Sequence, residues 1–88
     1  MIKHHDIVLY VSSTSHMSQL AADYFRQNGF DFEEINVDKD KAAGDEVFNR
    51  TKGRETPVAE IDGRIVTGYR PDVYEILLGD RDAASTAE

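Results

Sequence analysis

The chain has 88 residues, 40% hydrophobic and 31% charged, enough for one domain near the lower size at which a core holds without disulfides or a metal. Its 17 acids against 10 bases give a formal charge of −7; with no basic stripe to offset that balance, nucleic acid is excluded as an expected partner. The absence of cysteine rules out structural disulfides and thiolate metal sites, and the longest apolar run, Ile7 to Val11, is far too short to span a bilayer.

Lys3-His4-His5-Asp6 leads into strand pattern with no cleavage site, so a signal peptide is not expected and a cytoplasmic location is. Asp6 to Val11 is a compact β-prone run that reads as a buried strand. Apolar residues then recur at Met17, Leu20, Ala21, Tyr24 and Phe25, the spacing of one helix face. Asn28-Gly29 supplies the stop, with Gly29 suited to a left-handed C-terminal cap. Phe30 to Val37 alternates as a second strand, in which Phe30, Phe32, Ile35 and Val37 need a local irregularity to share a face. Asp38 to Lys52 reads as a helix capped by Asp38 or Asp40, with Ala43, Val47 and Phe48 inward.

Pro57 opens a third strand, Val58 to Ile61, and Asp62-Gly63 is a strong two-residue hairpin turn that returns along Arg64 to Thr67. Gly68 breaks the pattern. Pro71 suits the first turn of a last helix that buries Val73, Ile76 and Leu77 and ends at Gly79. The domain is expected over residues 1–79, and the small polar tail from Asp80 to Glu88 is expected to be disordered. A strand–helix–strand unit followed by a hairpin implies one mixed four-stranded sheet with helices on both faces, an α/β fold.

Chemistry concentrates in Ser12-Ser13-Thr14-Ser15 before the first helix. Taken alone, these are helix-capping residues, each contributing on the order of 1 kcal/mol. A hydroxyl-rich loop at a helix start could hold an anion, but this one lacks the glycines of a phosphate cradle. Ser15 and His16 are neighbours that point in different directions, which argues against a serine nucleophile and its base. His4-His5-Asp6 lacks a third clustered ligand, so no metal site is expected and these histidines read as surface residues.

Four segments in register resemble the glutaredoxin-like redoxins over residues 6–78. They are Ile7-Val8-Leu9-Tyr10 with a Ser15/Ser18 pair at the Cys-X-X-Cys offset, Asn28 to Asp38, Arg54-Glu55-Thr56-Pro57-Val58 with Ile61-Asp62-Gly63, and Gly68-Tyr69-Arg70-Pro71-Asp72. The resemblance implies the thioredoxin fold in its minimal glutaredoxin form, β-α-β-α-β-β-α. A flavodoxin-like or phosphotransferase-B-like domain also begins strand–loop–helix, but the late Asp62-Gly63 hairpin counts against it.

The resemblance further implies a thiol–disulfide oxidoreductase, an electron carrier without a bound cofactor. Ser15 would hold the nucleophile position and Ser18 the resolving position, so the chain as written is redox-inactive, because a hydroxyl forms no disulfide. His16, Met17, Thr56, Pro57, Gly68 and Tyr69 would face a thiol or disulfide protein partner or a reductase. The Thr56–Pro57 peptide would be cis, offering backbone groups to an extended segment. Gly68-Tyr69-Arg70-Pro71-Asp72 looks like the NrdH-type redoxins, which thioredoxin reductase reduces and which feed ribonucleotide reductase. Thr67, Arg70 and Pro71 stand where glutathione users typically carry the first of two glycines and a pair of acids, so glutathione is a doubtful ligand. Two explanations of the serines stay open: engineered replacement of both cysteines, or a naturally cysteine-free, non-catalytic binding module.

Overall fold

In a computed structural model of the chain, residues 5–53 and 56–79 are described. The elements are β1 (Ile7–Val11), α1 (His16–Gln27), β2 (Glu33–Asn36), α2 (Lys41–Thr51), β3 (Val58–Ile61), β4 (Arg64–Thr67) and α3 (Pro71–Leu77). The strands form one sheet in the order β2-β1-β3-β4. β1 runs parallel to β2 and antiparallel to β3, with Leu9 opposite Ala59 and Tyr10 opposite Val58. β3 and β4 form the expected hairpin. Its turn residues Asp62 and Gly63 both have positive φ, 51° and 86°, the conformation that a two-residue type I′ turn demands.

Alternation along β1 divides the core. Ile7, Leu9 and Val11 face a cluster containing Ala21, Ala22 and Phe25 of α1, and Tyr74 of α3 with Leu78 just beyond it. Tyr10 faces Val47 of α2, with Val58 of β3 and partly buried Val8, Ile35, Val37 and Ala43. Helices α1 and α3 therefore cover one face and α2 the other, the three-layer solution for a short sheet with two apolar faces. The C-terminal ends of β1 and β2 deliver the chain to the loops that precede α1 and α2.

The structure revises five expectations. Phe30 and Phe32 precede β2 and pack on the α1/α3 side, whereas Ile35 and Val37 pack on the α2 side; the shift in alternation sends the two pairs to opposite faces. α2 begins only at Lys41, with Asp40 accepting a bond from the Ala43 N–H at 3.0 Å. Phe48 is 61% exposed rather than inward. At the C-terminal helix the buried positions are Tyr74 of α3 and Leu78 just beyond it, while Ile76 is 76% exposed. Tyr74 sets that rotation: its ring meets Tyr24 and Phe25 at 5.3 and 4.9 Å, and its hydroxyl donates to the Gly68 carbonyl at 3.0 Å. On α1, Met17 is half exposed and Ser18 takes a core place. The expected tail, Asp80 to Glu88, and Arg54-Glu55 lie outside the described residues.

Candidate functional site

The loop between β1 and α1 is held from both sides. Ser15 is the N-cap of α1, in extended backbone conformation, and its Oγ accepts the Ser18 N–H at 3.1 Å. Ser18, only 1% exposed, accepts the Ser12 N–H on its own Oγ at 3.2 Å. The Ser15 N–H closes the turn onto the Ser12 carbonyl at 3.2 Å. Both positions singled out by spacing thus lie at the helix start, and the two hydroxyls already accept local bonds.

From the other side the anchor is Asp38, which follows β2 and does not cap α2. Its Oδ2 accepts the Ser12 hydroxyl at 2.9 Å and the Ser13 N–H at 2.8 Å. Asn36 donates from Nδ2 to Ser13 Oγ at 2.8 Å and accepts the Asp38 N–H on Oδ1 at 2.9 Å. The Thr14 N–H donates to Ser12 Oγ at 3.3 Å. Asp38 and Asn36 were not singled out as site residues from sequence, because the capping role available to Asp38 was a sufficient account of it. The signal was the second acid two residues on: Asp40 can cap α2, which leaves Asp38 free for the loop.

A groove of about 560 Å³ opens beside this loop, lined by Ser12, Thr14, Ser15 and Asp38 on one side, Val47 and Phe48 of α2 on another, and Thr56 at its end. Ser15 and Thr56 therefore share one cavity. The Thr56–Pro57 peptide is cis and Pro57 is fully buried. The Pro57 carbonyl accepts the Gly68 N–H at 2.7 Å, and Gly68, at φ 83°, adopts a conformation a side chain would strain. Tyr69 packs edge-on against Tyr74 at 6.2 Å, and burial pushes the Tyr74 hydroxyl up to about 12, keeping it a neutral donor to Gly68. His16 and Met17 lie exposed on the first turn of α1.

Arg70 and Asp72 pair with each other through two bonds of 3.2 and 3.3 Å. That pairing holds the Asp72 carboxyl below its usual range and raises the Arg70 guanidinium. Its guanidinium is thus already matched. His5 also departs from expectation. Its side chain is 9% exposed, its Nδ1 lies 2.6 Å from Asp62 Oδ2, and its ring meets the Phe30 ring edge-on at 5.9 Å. It is a tertiary contact at the end of the sheet opposite the serine loop, not a loose surface histidine. Among the described residues no group of three or more His, Asp or Glu side chains is arranged to hold a metal, and no helix is long and apolar enough to cross a membrane.

The sequence profile named Glutaredoxin matches residues 7–66, a span running from β1 through the serine loop and the cis-proline into β4. This chain belongs to the glutaredoxin family. Among solved structures it is similar to the glutaredoxin-like protein NrdH-redoxin from Escherichia coli, at 30% identity over 82% of this chain and 93% of that one, with a TM-score of 0.72. The thioredoxin-like protein BC3987 is 26% identical, covering 83% of this chain and all of that one, with a TM-score of 0.77. A glutaredoxin from Archaeoglobus fulgidus matches in fold, with a TM-score of 0.75 at 23% identity over 83% of this chain and 85% of that one. No curated protein matches. The glutaredoxin architecture is thus present throughout, and no cysteine accompanies it.

Proposed function

We propose that the chain is a glutaredoxin-like thiol–disulfide oxidoreductase scaffold that cannot exchange electrons as its sequence stands. The observation that carries the reading is that Ser15 and Ser18 lie at the start of α1, with Ser15 in one groove with Thr56 of the Thr56–Pro57 cis peptide, and no thiol anywhere in the chain. A cysteine at a helix N-terminus has its thiolate stabilised by the aligned backbone dipoles and becomes nucleophilic near neutral pH. A serine hydroxyl there ionises far higher, and sulfur–oxygen exchange has no stable product. Partner docking would survive this loss. It would use Thr56, Pro57, Gly68 and Tyr69 with His16 and Met17, and it would take a protein thiol or disulfide rather than glutathione, nucleic acid or membrane. The reading takes the protein as cytoplasmic and the domain as residues 1–79, and the likeness to NrdH-redoxin, described by its thioredoxin-like activity profile, favours that branch.

One observation favours a second reading, a naturally cysteine-free binding module. The Ser18 hydroxyl accepts a backbone N–H in a closed place and the Ser15 hydroxyl caps the helix, roles in which a thiol is a weak acceptor. Restoring the cysteines tests the scaffold itself. Ser15→Cys with Ser18→Cys is expected to reduce insulin when supplied with a reductant, and Ser15→Cys alone to stop at a trapped mixed disulfide, since no resolving thiol follows. A folded double variant without thiol exchange toward several reductants overturns the oxidoreductase reading.

A further inference from the structure

The groove beside Ser15 carries a charge that its helix-terminal setting does not lead one to expect. The N-terminus of a helix attracts anions through free N–H groups and the macrodipole. Here three successive loop amides are occupied internally: Ser13 N–H on Asp38, Thr14 N–H on Ser12 Oγ and Ser15 N–H on the Ser12 carbonyl. The Ser18 N–H is taken by Ser15 Oγ. What the groove presents instead is a carboxylate. Asp38 is the one charged residue among the described residues that line it. Its two donors, a hydroxyl and an amide, are neutral, so they fix the carboxylate in place without cancelling its charge.

The other walls suit an extended chain. Among the described residues no backbone hydrogen bond engages Thr56, which leaves its N–H and carbonyl to a strand-like partner. Phe48 also lines the groove and is mostly exposed, and a Cβ at Gly53 would come within 3.3 Å of its ring. Backbone acceptor and donor, apolar shelf and lone carboxylate thus surround one cavity.

We propose that this groove selects an extended peptide segment carrying a cationic side chain, with Asp38 as its counter-charge and Phe48 as the apolar shelf beside it. The proposal deepens the docking reading above by naming the partner chemistry, and it does not depend on thiol exchange. Charge complementarity decides between otherwise equal partners, because a like charge placed opposite a fixed carboxylate is penalised while an opposite one is favoured. The chain's net charge of −7 acts in the same direction at long range but is not local, and the two effects are separable.

The test uses the full chain as it stands, labelled with nitrogen-15 and titrated with a capped hexapeptide, Gly-Ser-Lys-Phe-Ser-Gly, and its counterpart with Glu in place of Lys. The lysine peptide is expected to move the amides of Ser13, Thr14, Phe48 and Thr56 and to bind at least about fivefold more tightly than the glutamate peptide, a preference that about 0.5 M salt should largely screen. Asp38→Asn keeps an acceptor for the loop and removes the charge, so the preference should collapse. Glu75→Gln removes the same charge from α3 on the opposite face of the sheet and should leave it intact. Equal binding of the two peptides overturns the proposal, as does a preference unchanged in Asp38→Asn, equal losses in both variants, or no saturation by either peptide at about 10 mM. Such a failure beside an active double-cysteine variant would leave the redoxin reading standing.

Discussion

Replacing Ser18 by alanine is the most direct probe of what the serines do. Ser18 is 1% exposed and its Oγ accepts the Ser12 N–H at 3.2 Å. Alanine removes that acceptor and leaves a half-buried amide without a partner, at a cost of about 1–2 kcal/mol. The better helix propensity of alanine returns about 0.5 kcal/mol. The net loss is about 1 kcal/mol, which in a domain of this size lowers the midpoint of thermal unfolding by about 4–8 °C. Ser15→Ala removes the N-cap and should cost a similar amount, about 1 kcal/mol. The two losses should not add, since Ser15, Ser18 and Ser12 form one chain of bonds.

Thermal unfolding followed by circular dichroism reads these shifts. If Ser18→Ala melts within about 1 °C of the parent, the hydroxyl contributes nothing to the loop and the structural account of Ser18 is wrong. The reduced Ser15→Cys/Ser18→Cys protein gives a sharper comparison, because a thiol accepts hydrogen bonds weakly. If the serines are fitted to this loop, the reduced double variant melts below the parent. If it melts above the parent, the surroundings of positions 15 and 18 are shaped for sulfur, and the binding-module reading loses its support.

Two further outcomes follow from the geometry. Glutathione should bind more weakly than about 1 mM, since the loop amides are occupied, Asp38 opposes an anion and Arg70 is matched by Asp72; amide shifts near Thr56 and Gly68 that saturate below that concentration would overturn this. At the far end of the sheet, bonds from His5 and from the Asp6 N–H hold the Asp62 carboxyl below its ordinary value. A carboxylate whose folded value is depressed stabilises the fold above its unfolded value, and that contribution is lost as the pH falls through the folded one. Urea unfolding at a series of pH values should therefore show Asp62→Asn less stable than the parent above about pH 5, with the two converging in acid; a constant gap would mean that the charge of Asp62 is irrelevant.

Much of the fold was legible because local signals agreed with one another. The β1 run, the Asn28-Gly29 stop, the Asp62-Gly63 turn and Pro71 each fix one element whatever the tertiary setting, and together they force the mixed sheet. The misreadings fall where tertiary packing overrides periodicity. Ile76 has the spacing of a buried residue, but α3 is too short for a stripe to dictate its rotation, and Tyr74 sets it through three aromatic contacts and a bond to Gly68. Phe48 likewise keeps helical spacing yet lines the groove, where no element among the described residues covers it. The serine positions were legible from register. The Asp38 clamp was not, because it joins residues 25 and 26 positions apart; the one local hint, that Asp40 can cap α2 in place of Asp38, names no partner for Asp38.

The physical reason one loop can serve with or without thiols lies in what a helix N-terminus offers. Its unpaired N–H groups and the dipole behind them stabilise an acceptor placed at the cap. A thiolate uses that field to lower its pKa and become a nucleophile; a hydroxyl uses it to form an ordinary capping bond, as Ser15 does with the Ser18 N–H. The geometry required is the same, so chemistry can be removed without removing the reason for the geometry. The core clusters on the two faces of the sheet are built from aliphatic and aromatic side chains, and positions 15 and 18 contribute little apolar surface to either. Stability and exchange chemistry are therefore nearly separable in this scaffold. What the hydroxyls cannot replace is the thiolate charge, and at this site the fixed charge belongs instead to Asp38.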